Sequence, residues 1–210
     1  PRLLVSAGAD RELVTRAFAQ GLGALTERIG ASSAHVLFPP GDEADLLEAA
    51  GMARRAGLQF HWENAGYASF DDFLGGFSSK KRHQLRRERR EAASEGFVFE
   101  SLLGKELSSA RIDAVYELYL TTVDKFVWGR RYLNRDFFHE VCSKLGESVQ
   151  VVLASESGGA PIAGAFNLLG DDTLYGRYWG AHQERRFLHF EVCYYRGIDE
   201  CIARGLARFE

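Results

Sequence analysis

The sequence predicts an α/β fold of the α+β kind, a mixed and largely antiparallel sheet flanked by helices. Three β-type runs at 148–156, 160–169 and 173–180 are separated only by Ser157-Gly158-Gly159, a strong hairpin signal, and by the turn Asp171-Asp172. Before them, apolar residues recur at helical spacing in several stretches that alternate with short strand-like runs. The first third reads strand, helix, strand, helix, strand, the pattern of a βαβ layer.

Taken in order, Leu3-Leu4-Val5 is a short apolar run. Asp10 then caps a helix with Leu13, Ala17, Leu22 and Leu25 inward, ending at Gly30. Ala34-His35-Val36-Leu37-Phe38 reads as a buried strand stopped by Pro39-Pro40-Gly41, residues 42–56 as a helix, and Leu58-Gln59-Phe60-His61-Trp62 as a half-buried strand. Ser69 caps one long helix whose apolar stripe is Phe70, Phe73, Leu74, Phe77 and Leu85. Gly96 ends it, and a strand follows at 97–101. Residues 108–125 form an amphipathic helix, and Asn134 or Asp136 caps the next. After the three-strand meander, residues 187–203 are helical, Gly205 is a C-cap, and 206–209 begin another strand. A boundary near Gly66 separates residues 1–66 from residues 67–210.

Composition removes several function classes. With 46% hydrophobic and 26% charged residues the chain is globular, and a net charge of -3 is unlike a nucleic-acid coat protein. Cys142, Cys193 and Cys201 are odd in number and lack a CxxC pair, so they read as buried thiols of a reducing, cytoplasmic protein. No transmembrane segment or signal peptide is evident, and no HExxH, GxSxG or Walker A pattern and no metal-ligand spacing occurs.

Against this background, residues 78–90 place seven Lys/Arg beside one Glu. Like charges at i, i+4 repel by about a few tenths of a kcal/mol each, so the cluster calls for an anion nearby or a fully solvated face. Arg82, Arg86 and Arg90 recur at i, i+4, i+8 as one stripe, with Arg89 close by; Lys80, Lys81 and Arg87 lie elsewhere.

Two stretches carry a family resemblance. The segment Ser79-Lys80-Lys81-Arg82-His83-Gln84-Leu85-Arg86-Arg87-Glu88-Arg89-Arg90, followed by Gly96 and a strand, is similar to the K-x-R-x-x-I/L-R helix of FemABX-type aminoacyl transferases within the GNAT superfamily. The segment Leu174-Tyr175-Gly176-Arg177-Tyr178-Trp179-Gly180-Ala181, with Phe187 to Asp199, resembles the strand, loop and helix that build their cleft. The resemblance implies a tandem GNAT arrangement: residues 1–66 as the C-terminal portion of a first GNAT-like domain, and 67–210 as a second, FemAB-like domain stopping before its last strand is complete. It implies a bacterial N-acyltransferase or aminoacyltransferase linked to peptidoglycan or envelope precursors. The acceptor would be a small-molecule or peptide amine, and acyl-CoA or aminoacyl-tRNA the donor, which makes tRNA a partner. No tightly bound cofactor is implied. The loop Gly180-Ala181-His182-Gln183-Glu184-Arg185-Arg186 lacks the glycine-rich pyrophosphate cradle R/Q-x-x-G-x-G/A, which speaks against ordinary acetyl-CoA use.

Amide formation needs a deprotonated amine and a polarised carbonyl. Glu191 suits proton transfer or amine positioning, and equally a carboxylate favoured by a helix's first turn. His189 suits a base, and equally a histidine held by core hydrogen bonds. Strand alternation puts Arg177 and Trp179 on one face, where Arg177 could meet phosphate or carboxylate. Trp128, in a loop with Arg130, Arg131 and Tyr132, is a recognition candidate. Lys80, Arg82, Arg86 and Arg90 complete the donor-binding set. The competing expectation is a catalytically degenerate domain that binds RNA or an anionic envelope precursor.

Overall fold

The computed structural model describes residues 2–125, 131–157 and 159–210. The chain divides into one compact unit ending at Gln59 and a second spanning Phe60–Glu210. The division precedes Gly66 because Trp62 and Glu63 pair with Phe209 and Arg208 and so belong to the second unit's sheet.

The first unit holds helices α1 (Arg11–Arg28) and α2 (Gly41–Ala49). Asp10 caps α1 by accepting from the N–H groups of Glu12 and Leu13. Buried Glu43 ties the helices down, accepting from the Arg2 N–H at 2.7 Å and lying 3.8 Å from Arg11. Helix α2 stops well before residue 56 because Gly51 turns left-handed at φ 95°. The strands expected at Leu3-Leu4-Val5 and 34–38 do not form, and of the one expected at 58–62 only Trp62 is in a strand. Phe38 adopts φ 51°, which breaks an extended run, and Leu4, Phe38 and Phe60 are exposed with no ladder beside them. An apolar run becomes a strand only where a partner strand satisfies its backbone.

The second unit is one six-stranded sheet. Its elements are β1 (Trp62–Glu63), α3 (Phe70–Gly75), α4 (Ser79–Ser94), β2 (Phe97–Leu103), α5 (Ser109–Val123), α6 (Arg135–Lys144), β3 (Val149–Glu156), β4 (Pro161–Leu169), β5 (Thr173–Ala181), α7 (Leu188–Phe190), a π-helical turn Glu191–Tyr195, α8 (Arg196–Arg204) and β6 (Arg208–Phe209). The strand order is β1-β6-β5-β4-β3-β2, antiparallel throughout except for the β5–β6 pair. The expected class, a mixed and mostly antiparallel sheet between helices, is the observed one.

Each face of the sheet has its own core. On one, α5 and α6 pack Leu118, Tyr119 and Phe138 on Val149, Val151, Leu153 and Phe166. On the other, Val152, Ala154, Ala163 and Ala165 meet Leu188 and Val192, and Leu174 meets Ile198 and Cys201. The alternation of β3 explains both sets, its odd residues facing α5 and its even ones α7–α8. Gln150 follows the even set, and a relay runs from buried Asn167 to buried Gln150 (2.5 Å), then outward to exposed Ser101 (2.6 Å) and on to Glu200 (3.0 Å).

The single long helix expected after Ser69 is two helices. The first stops at Gly75, and Ser78, extended at ψ 154°, starts the second by accepting from the Lys81 N–H at 3.4 Å. The break lets Phe70, Phe73 and Phe77 pack edge-on against each other while α4 sets off in its own direction.

Candidate functional site

The basic helix α4 finds most of its counter-charge inside the protein. Arg82 donates to the Phe77 carbonyl at 2.6 Å, Arg86 pairs with Asp71 at 3.0 Å, and Arg87 lies 3.4 Å from Glu91. Lys80, Lys81 and Arg90 are exposed and have no carboxylate within 4.0 Å among the described residues. Glu88 is buried and takes the Tyr195 hydroxyl at 2.5 Å and the Gln84 amide at 2.8 Å. Burial, joined by that hydrogen bond, pushes the Tyr195 phenol far above its ordinary pKa.

Arg89 is the hub. It donates to both Glu191 oxygens at 3.1 Å and to Asp199 at 2.6 and 3.3 Å, and its guanidinium lies 4.3 Å from the Phe70 ring centre. Burial works to lower its pKa, but the hydrogen bonds to Asp199 and Glu191 outweigh that and hold it above the ordinary value. Glu191 is 2% exposed and also accepts from Arg196 at 2.8 Å. It opens the π-helical turn, whose wider coil redirects the helix between α7 and α8. Glu88 and Arg89, neighbours on α4, thus bolt that helix to the turn.

His189 faces elsewhere. It is exposed at one side, but its ring packs 4.9 Å from Trp179 and edge-on to Tyr194 at 5.5 Å. The loss of water on that side lowers its pKa below the ordinary histidine value. Phe190 and Tyr194, each about half exposed, extend the aromatic surface. Among the described residues, β6 reaches β5 only at Thr173, Leu174 and Gly176. Farther along that edge, the Trp179 carbonyl accepts from the Thr122 hydroxyl at 2.6 Å, and the Ala181 N–H donates to Thr121 at 3.1 Å. Helix α5 therefore fixes the backbone that carries Trp179.

The structure brings His189 and Trp179 together and gathers Arg86 and Arg90 around Arg89. It does not join Arg177 to Trp179 by strand alternation. Phe166 pairs with Tyr178 and Asn167 with Gly176, so Arg177 is the extra residue of a β-bulge and the two-residue period is interrupted there. Arg177 is exposed. Trp128 lies outside the described residues. Sequence reasoning missed the reach of Arg89 to residues 102 and 110 positions away. The signals were present: Glu88 and Arg89 stand three and four residues from Leu85 and Ala92 on the buried side of α4.

Burial disfavours the thiolate form at all three cysteines. Burial raises Cys142 to about 11 and Cys201 to about 12, and pushes Cys193 higher still. Among the described residues no three His, Cys, Asp or Glu side chains gather as metal ligands, and no helix is long and apolar enough to cross a membrane.

Replacing Trp179 by leucine should raise the His189 pKa toward the ordinary value, read by NMR titration of its ring protons. An unchanged titration would mean that Trp179 does not desolvate it.

Residues 1–210 match the FemAB-like family model, described as peptidoglycan biosynthesis/recognition. Among solved structures, FemX is 11% identical with a TM-score of 0.52, over 95% of this chain and 67% of its own. L-PGS from Bacillus licheniformis is 12% identical, with a TM-score of 0.46 over 65% of this chain and 43% of its own. A GNAT-family acetyltransferase from Staphylococcus aureus Mu50 is 11% identical, with a TM-score of 0.38 over 52% of this chain and 69% of its own. The chain thus spans less than half of L-PGS and about two thirds of FemX. At this identity the likeness to FemX is one of fold. No curated protein matches the chain.

Proposed function

The chain belongs to the FemAB-like family of peptidoglycan biosynthesis/recognition proteins, and from that premise we propose that it transfers an acyl or aminoacyl group to an amine by direct attack. The observation that carries this reading is His189, packed between Trp179 and Tyr194 beside a stretch of β5 whose outer edge is held by α5 rather than by a strand. An amine attacks only as the free base. A histidine with a lowered pKa is neutral near pH 7 and can take the proton from the acceptor's ammonium group. The nitrogen lone pair then forms the C–N bond. The donor's C–O or C–S bond breaks, and the released hydroxyl or thiol carries away a proton. Aromatic walls hold the partners in place, which supplies much of the rate.

In this reading Glu191 is a positioning residue rather than the base, since Arg89 and Arg196 occupy its oxygens. Donor phosphates, from acyl-CoA or aminoacyl-tRNA, would meet Lys80, Arg82, Arg86 and Arg90 of α4. The same buried Glu191 favours the second reading, a domain that binds RNA or an envelope precursor without transfer.

The test incubates the chain with labelled aminoacyl-tRNA or acyl-CoA and a panel of peptide amines. We expect label on the amine, with an acid limb below about pH 6.5, the ordinary histidine value. The limb falls there because protonated His189 cannot accept a proton, and its lowered pKa delays protonation to lower pH. RNA binding with no transfer in any pairing would leave the binding-only reading.

A further inference from the structure

A groove of about 470 Å³, open to solvent, lies between α3 and α4, lined by Phe70, Asp71, Leu74, Arg86, Arg89 and Arg90 together with Ser69. Its three arginines are not equivalent. Arg89 is spent on Glu191 and Asp199, and with Phe70 stacked on it serves as a rigid wall. Arg86 and Arg90 stand one helical turn apart, where like charges repel. Of the carboxylates, Asp71 alone lines this groove among the described residues, and it balances Arg86 while leaving Arg90 without a partner. The Asp71 side chain is 73% exposed, and an ion pair that open to water contributes about 1 kcal/mol or less. An entering anion displaces it at little cost.

We propose that this groove binds a dianionic phosphate monoester, held by Arg86 and Arg90, with Asp71 as the stand-in carboxylate that leaves when the ligand enters. With Asp71 swung to solvent the pair offers two positive charges, which a phosphate monoester of charge near -2 matches. A carboxylate ligand would only replace Asp71 and leave Arg90 uncompensated. Guanidinium forks suit phosphoryl oxygens, each presenting parallel N–H donors. Half-buried Phe70, backed by the buried Leu74, gives the ester's organic group an apolar floor. The inference deepens the reading of α4 as the donor-facing wall and rests on it for the natural ligand, while phosphate binding itself is measured without any transfer. Either can therefore fail alone.

The experiment titrates the chain with phenyl phosphate, inorganic phosphate and dimethyl phosphate, followed by amide NMR shifts of α3 and α4. Saturable binding is expected in that order of affinity, because the phenyl ring uses the apolar floor and the diester carries one charge. Arg86→Ala with Arg90→Ala should weaken phenyl phosphate at least about tenfold. Asp71→Asn should tighten it about threefold by removing the competitor. Lys81→Ala, a cation of the same helix outside the groove, should change nothing. The proposal is overturned if no saturable shift occurs, or if dimethyl phosphate binds as well as inorganic phosphate. It is equally overturned if Lys81→Ala weakens binding as much as the double variant does.

Discussion

Gly180→Ala should cost the Phe60–Glu210 unit upward of about 4 kcal/mol, enough to erase its cooperative unfolding transition. A Cβ at residue 180 would stand 1.7 Å from the Leu118 carbonyl oxygen, 2.3 Å from the carbonyl carbon and 2.8 Å from the Thr121 hydroxyl. Two of these are backbone atoms of α5, so no rotamer change relieves the clash. The helix itself must retreat, and Leu118 and Tyr119 leave the core they share with Phe138, Val151 and Leu153. The contacts of Thr121 and Thr122 with β5 go as well, so the damage reaches Trp179. Gly75→Ala is the matched control. Nothing lies within 4 Å of its Cβ position, and its unfolding midpoint should stay near wild type. Urea titration followed by circular dichroism distinguishes the two. A Gly180→Ala protein within about 1 kcal/mol of wild type would show that α5 does not lie on the strand as described.

Glu191→Ala should destabilise the same unit by about 3–5 kcal/mol, the usual cost of removing one partner from a buried ion pair. The loss follows from what remains. Arg89 keeps Asp199 but loses its bidentate partner, and Arg196 loses the carboxylate at 2.8 Å. Two partly buried guanidiniums, 22% and 33% exposed, are then left short of counter-charge beside the buried position of the lost carboxylate, where charge is expensive. For a unit of this size the melting temperature should fall by about 10 °C. Glu140→Ala, which breaks the exposed Lys144 pair at 2.7 Å, should shift it by about 2 °C or less. Equal shifts for the two variants would mean that Glu191 is not the anchor of the π-helical turn.

Local signals in the sequence reported local structure faithfully. Asp10, Ser69 and Asn134 are caps because their short side chains accept from N–H groups two or three residues on, and Gly205 ends α8 at φ 66°. The meander was legible because strand length, alternation and turn chemistry agree across residues 148–181. What escaped depends on partners distant in sequence. The strands expected before residue 60 are apolar enough to pair, but a ladder needs a neighbour that periodicity cannot supply. The π-helical turn at Glu191–Tyr195 adds to the helix without changing its composition, and the bulge at Arg177 shifts the alternation by one residue. The charge cluster of α4 was visible, whereas its balance was not. Asp71, Glu91, Glu191 and Asp199 meet its arginines from three parts of the chain.

In the proposed transfer His189 is the group that frees the acceptor amine. The most direct test is the transfer rate of the His189→Gln protein under saturating donor and acceptor. Loss of a general base typically costs about 10²–10⁴-fold. Glutamine keeps the side chain polar and near in size, so the unfolding midpoint should stay close to wild type. We expect kcat to fall by at least about a hundredfold and the acid limb assigned to residue 189 to vanish. A variant that transfers at the wild-type rate with the same pH profile would mean that His189 is not the base.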